Sequence, residues 1–92
     1  MTEADMIYRV EIDAAAAKEL SKLDRQTGRR VADRIRALAT APRPAGCKPL
    51  TGQPGLWRIR IGDQRVVYSI DDGVLTILVL RIRHRREAYR KL

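Results

Sequence analysis

The chain has 92 residues, 45% hydrophobic and 33% charged. That fits one small domain spanning 1–92 and excludes both a multi-domain protein and a wholly disordered one. Lys and Arg number 19 against 11 Asp and Glu, a net charge of +8 that favours a polyanionic partner, nucleic acid or acidic protein. One cysteine, Cys47, and one histidine, His84, allow neither an internal disulfide nor the ligands of a zinc site.

Met1 to Met6 carries Glu3 and Asp5 and lacks the basic and apolar regions of a signal peptide, so a cytoplasmic protein is expected. From Ile7 to Ile12, Tyr8, Val10 and Ile12 alternate with Ile7, Arg9 and Glu11, the period of a strand. Asp13 is placed to cap a helix from Ala14 to Leu23, with Ala16, Leu20 and Leu23 on one face. A second helix over Arg25 to Ala41 turns Val31, Ile35 and Leu38 inward and Arg29, Arg30, Asp33, Arg34 and Arg36 mostly outward. All four prolines and three glycines fall between Pro42 and Gly55, which reads as a loop. Strands follow over Leu56 to Ile61, Arg65 to Ile70 and Val74 to about Ile82, separated by turns at Gly62-Asp63 and Asp71-Asp72-Gly73. The apolar run Val74 to Leu80 is too short for a membrane span of about 20 residues and suits a central strand covered on both faces. The order predicts an α+β domain: an N-terminal strand, a two-helix hairpin on one sheet face, a three-stranded antiparallel meander, and a short basic C-terminal helix. The pairing of the first strand is not set by the sequence; a place beside the meander is the simplest topology.

Strand alternation puts Arg58 and Arg60 on the face away from Trp57, Ile59 and Ile61, left open by the helices. Two neighbouring guanidiniums repel. They are tolerated when solvated, and they become useful when a phosphodiester lies across them. Arg65 opens the adjoining strand and the last strand delivers Arg81 and Arg83, so as many as five arginines converge. From Arg81 to Leu92 six basic residues accompany His84 and Tyr89 against one acid, Glu87. Such a tail can serve solubility alone, but His84 has a side chain suited to proton transfer near neutrality and Tyr89 can stack on a base or offer a hydroxyl. The sequence has no Gly-rich phosphate loop, no H-E-x-x-H and no carboxylate pair at catalytic spacing. Metal-free, arginine-rich chemistry on a phosphate remains, and in RNA the 2′-hydroxyl can itself be the nucleophile.

Three segments carry a resemblance: Lys48-Pro49-Leu50-Thr51-Gly52; Gly55-Leu56-Trp57-Arg58-Ile59-Arg60-Ile61-Gly62-Asp63-Gln64-Arg65-Val66-Val67-Tyr68; and Ile82-Arg83-His84-Arg85-Arg86-Glu87-Ala88-Tyr89. Together they resemble the RelE toxins of bacterial toxin–antitoxin systems, within the RelE/ParE superfamily, from Tyr8 to the end of the chain. The resemblance implies a RelE-like, microbial ribonuclease-type fold and an mRNA interferase that needs no metal or small-molecule cofactor. Such an enzyme cuts the message in the ribosomal A site by 2′-hydroxyl attack on the adjacent phosphate. It implies as partners the ribosome, mRNA and a cognate acidic, RelB-like antitoxin, with no membrane. By the same resemblance Arg58, Arg60, Arg65 and Arg83 act on the substrate, Tyr89 stacks on a base and His84 is a candidate general acid. Lys48, Arg81, Arg85 and Arg86 are expected to hold RNA. Some members carry Lys where this chain has Arg58 and Arg60; arginine stays protonated, so the base is either another group such as His84 or is replaced by charge stabilisation. Two other readings share the fold: a ParE-like toxin that poisons DNA gyrase, and a non-enzymatic relic acting with its antitoxin as a DNA-binding repressor. A gyrase binder has no evident need of His84 and Tyr89.

Overall fold

A computed structural model describes residues 7–86. The expected C-terminal helix, with Tyr89, lies outside the described residues. The elements are β1 (Arg9–Ile12), α1 (Ala14–Ser21), α2 (Arg25–Ala37), β2 (Lys48–Pro49), β3 (Leu56–Ile61), β4 (Gln64–Asp71) and β5 (Thr76–His84). They form one five-stranded sheet in the order β1-β5-β4-β3-β2, with β1 parallel to β5 and the other pairs antiparallel. β1 therefore lies beside the meander, and β5 is flanked by β1 and β4 but is not covered on both faces as expected: Ile77, Val79 and Ile82 are buried, Leu78 and Leu80 only partly. No helix among the described residues is long and apolar enough to cross a membrane.

Both helices start at aspartates. Asp13 accepts a hydrogen bond from the Ala15 N–H at 3.3 Å and Asp24 one from the Thr27 N–H at 3.1 Å, each satisfying an orphan donor of a first turn. The Thr27 side chain first, then its N–H, hold the Asp24 carboxyl below the usual carboxylate range. Ala16, Val31, Ile35 and Leu38 pack with Ile59, Ile61, Val66, Tyr68, Ile77, Val79 and Ile82 in the core between helices and sheet. α2 stops at Ala37, not at Ala41. Pro42 disfavours helical geometry at the residue before it, and the Ala39 carbonyl instead accepts the Tyr8 N–H at 2.8 Å, tying the chain start to the helix end. β5 begins at Thr76, two residues later than expected, because Leu75 takes a left-handed φ of 50° that interrupts extension. It also runs on to His84. β2 was not legible: two residues of the Pro/Gly-rich loop pair with Trp57 and Arg58.

Ile61 pairs with Gln64, so Gly62-Asp63 is a two-residue turn with Gly62 at φ 59°, the positive value that a tight hairpin turn opening on glycine needs. A Cβ there would also stand 3.8 Å from the Arg30 guanidinium. Gly62→Ala is expected to cost about 1–2 kcal/mol from the left-handed backbone, read as a lower midpoint with unchanged slope in urea unfolding.

The face away from the helices is not open at its centre, contrary to expectation. Val67 is fully buried, and Arg58 and Arg65 are only 7% and 9% exposed. Gln53, from the end of the long loop, borders this face together with Leu56 and Leu80. The loop is anchored at its start: the Tyr68 hydroxyl donates to the Pro42 carbonyl at 2.8 Å, and burial pushes this phenol well above its ordinary range, keeping it a donor. Arg43 lies 5.0 Å from the Trp57 ring centroid and pairs with Asp72 at 3.0 Å, while Tyr8 donates to Asp72 at 2.6 Å.

Arg43 first, then Tyr8, lower the Asp72 carboxyl. A carboxyl lowered by folding contributes stability above its unfolded value, near 3.8, and loses it as pH falls through the folded value. The stability difference between the wild type and Asp72→Asn is therefore expected to hold constant near neutrality and shrink below about pH 4. Thermal melts of both proteins across that range check it.

Candidate functional site

Register builds the site. Arg60 faces Arg65, and Arg65 faces Arg83, giving one row of three arginines across β3, β4 and β5. The next row is Lys48, Arg58, Val67 and Arg81 across β2 to β5. Neighbouring strands lie about 4.8 Å apart, so these like charges stand opposite one another, an arrangement that costs stability unless anions or carboxylates offset it. The sheet thus brings together Arg58, Arg60, Arg65, Arg81 and Arg83, and β2 adds Lys48.

Two devices hold three of the guanidiniums. Arg65 turns back on the hairpin, its Nη1 donating to the Gly62 and Gln64 carbonyls at 3.1 Å each. Arg83 donates from Nε to Glu19 Oε2 at 2.9 Å, and Arg81 Nε lies 3.6 Å from the same oxygen. The other oxygen of Glu19 accepts the Ile82 N–H at 2.8 Å. β1 ends at Ile12, opposite Val79, and the rest of the β5 edge would carry unpaired donors. Glu19 of α1 fills that gap and uses its remaining capacity on two arginines of the site. Arg83's terminal nitrogens make no hydrogen bond among the described residues and remain available to an anion. At the opposite edge Arg34, Lys48, Arg58 and Arg60 surround a cavity of about 230 Å³ beside Gly46, a cationic setting suited to a phosphate.

His84 is placed elsewhere. It pairs with Gln64 and alternates with Arg83, so it shares the helix-side face with Ile82. It lines a cavity of about 400 Å³ with Asp24, Thr27, Arg30, Asp63 and Gln64 at the start of α2. Its Nδ1 accepts the Arg86 N–H at 3.2 Å, leaving Nε2 to carry the proton of the neutral ring. Exposed Arg85 reaches Asp63 at 3.8 Å. Register thus does not bring His84 to the arginine rows.

Residues 10–89 match the family described as ParE toxin of type II toxin–antitoxin system, parDE. Toxin RelE of Mycobacterium tuberculosis is 36% identical over 88 residues, covering 94% of this chain and 90% of its own length. The chain belongs to the RelE/ParE toxin superfamily. Toxin RelG of the same organism is 33% identical over 88 residues, covering 94% of this chain and all of its own length. Among solved structures, the toxin–antitoxin complex RelBE2 from M. tuberculosis superposes with a TM-score of 0.79 at 30% identity, covering 88% of this chain and 94% of that one. The archaeal RelE–RelB complex from Pyrococcus horikoshii gives 0.78 at 32% identity, covering 90% and 100%. The protein is a RelE/ParE-type toxin of a type II toxin–antitoxin system, with the α+β fold of these relatives.

Two residues of the toxin's site escaped sequence reading. Arg34 falls on a helix face whose charges look solvated, and Glu19 lies 63 residues from its β5 partner Ile82. Only the pairing of β5 with β1 and α1 brings Glu19 into place, and one sequence carries no signal of that.

Proposed function

We propose that the toxin is an endoribonuclease that cleaves mRNA in the ribosomal A site and is neutralised by an acidic, RelB-like antitoxin. The observation that supports this most is the pair of cationic rows, Arg60-Arg65-Arg83 and Lys48-Arg58-Val67-Arg81, on one sheet face. In the reaction the 2′-oxygen bonds to phosphorus and the phosphorus–5′-oxygen bond breaks. The 2′-proton passes to a base and the 5′-oxygen takes up a proton, leaving a cyclic phosphate and a 5′-hydroxyl. Arg58, Arg60, Arg65 and Arg83 stabilise the charge that grows on the phosphorus oxygens, and Lys48, Arg81, Arg85 and Arg86 hold the flanking RNA. Tyr89 keeps the stacking role that the resemblance gives it. The work is done in the cytoplasm, on ribosomes. The antitoxin covers the +8 chain by charge complementarity; the related RelBE2 and RelE–RelB structures are toxin–antitoxin complexes.

The test adds purified toxin to a cell-free translation reaction and maps new 5′ ends on the message by primer extension. Cuts inside A-site codons, absent when ribosomes are omitted, are expected. A message left intact would defeat the reading.

One observation favours a second reading. His84 stands on the helix side of the sheet, so its imidazole is away from the arginine rows. A ParE-like gyrase poison needs no proton transfer, and it would leave the message whole while blocking DNA supercoiling by purified gyrase.

A further inference from the structure

The arginine face ends in an apolar notch. Beyond Arg58, β3 continues on this face to Leu56, which pairs with Ser69, itself opposite Leu78. Between Val67 and Tyr68 the register slips: Val67 faces Arg81 but Tyr68 faces Val79, so Leu80 is an extra residue in β5. Such bulges re-aim side chains. Here Leu80 joins Leu56 and Val67 as the apolar part of a cavity of about 260 Å³, with Asp13, Gln53 and Arg81 completing the lining.

We propose that this notch is a nucleobase subsite, taking one unstacked base of single-stranded RNA whose phosphate lies on the arginine rows. The inference rests on reading that face as RNA-binding. The cavity falls below the roughly 300–1,000 Å³ of pockets that take drug-sized ligands, which suits one flat heterocycle. Its apolar residues meet the faces of a base, and its polar ones meet the edge. Arg81 offers only donors, Gln53 offers both a donor and an acceptor, and ionised Asp13 offers only acceptors. Asp13 spends one oxygen on the Ala15 N–H, leaving the other for an exocyclic amino group. Amino-bearing adenine and cytosine are therefore favoured over uracil. Leu56 and Arg58 are two residues apart on one strand, about 6.6 Å, a span comparable to that from a base to its own backbone. The charge beside the notch is cationic, which selects a chain of phosphates to carry the inserted group.

The test measures binding of 2′-O-methyl hexanucleotides, which lack the attacking hydroxyl, to the full-length toxin by fluorescence anisotropy. The probes are hexamers of adenosine, cytidine or uridine and an abasic hexamer of equal charge. The wild type is expected to bind the adenosine and cytidine hexamers at least about fivefold tighter than the abasic one, with uridine between. Leu80→Ala is expected to cut the advantage of the base-bearing probes over the abasic one by at least about threefold, leaving what stacking on Tyr89 contributes. Asp13→Asn, which keeps a helix-capping side chain, is expected to remove the preference over uridine. Arg83→Ala should weaken all four probes by a similar factor. Equal binding of base-bearing and abasic probes by the wild type overturns the proposal, as does a base preference undiminished in Leu80→Ala. If Leu80→Ala loses antitoxin affinity and keeps base preference, the notch belongs to the protein partner and the proposal also fails. A wild type that prefers bases but leaves translated message intact would sink the interferase reading and sustain the subsite.

Discussion

Arg83→Ala is expected to lower cleavage of translated message by about 100-fold or more while the domain stays folded. Arg83 closes the row Arg60-Arg65-Arg83, and its Nε is fixed by Glu19, so the fork is oriented before an anion arrives. Removing one preorganised donor to an oxyanion costs about 10²–10³ in rate, because the lost interaction is strongest where charge develops. Stability should respond weakly. The variant loses an ion pair whose side chains are each 22% exposed, a loss offset by relief of the repulsion between guanidiniums placed directly opposite each other. Glu19 keeps the Ile82 N–H and the nearby Arg81, so no carboxylate is stranded. Arg83→Lys should recover only part of the rate, since an ammonium restores the charge but not the planar fork. The measurements are the first-order rate of loss of full-length message in cell-free translation and the thermal midpoint by circular dichroism. A rate within about threefold of the wild type for a folded Arg83→Ala would remove Arg83 from the site.

Local signals were legible because each is decided within a few residues. Asp13 caps the first helix where an acidic side chain precedes an apolar period, Gly62 makes the β3–β4 turn, and the alternation Trp57 to Ile61 fixes which way Arg58 and Arg60 point. The convergence of five arginines also followed, since a tight hairpin sets the register of both its strands. What failed depends on pairing across distance. Alternation alone cannot report that Arg58 and Arg65 end up buried beside Val67. A single extra residue, Leu80, shifts the phase of β5 without breaking its apolar run. His84 is a local exception, carried by β5 because that strand runs on past its expected end at Ile82. Its neighbours in sequence are arginines, and its chemistry invites a catalytic role, yet strand parity sends it to the face opposite Arg83. Proximity along a strand is anti-correlated with sharing a face, since adjacent residues point apart. Motif reading treats Arg83 and His84 as one unit where the sheet separates them.

Glu19 offers the sharpest separation of folding from function, because its two oxygens do different work. Glu19→Ala leaves the Ile82 N–H without its acceptor at a position where β1 no longer covers the β5 edge. An unsatisfied buried donor costs about 1–3 kcal/mol, which for a domain of this size lowers the melting midpoint by about 10 °C. Glu19→Gln keeps one carbonyl oxygen, which can still accept that N–H, and turns an amide donor toward Arg83 Nε, itself a donor. The backbone stays paired and the arginine is released. Glu19→Gln is therefore expected to melt within about 3 °C of the wild type, while cleavage falls by about tenfold through kcat with little change in KM. That pattern follows if Glu19 sets the direction of the Arg83 fork, because orientation counts most where charge is developing, and the rows still supply the charge that binds RNA. Glu19→Asp, shorter by one methylene, should recover neither property fully. The melts and a saturation series of message concentrations decide between the roles. A Glu19→Gln protein with wild-type kcat would confine Glu19 to holding the sheet edge.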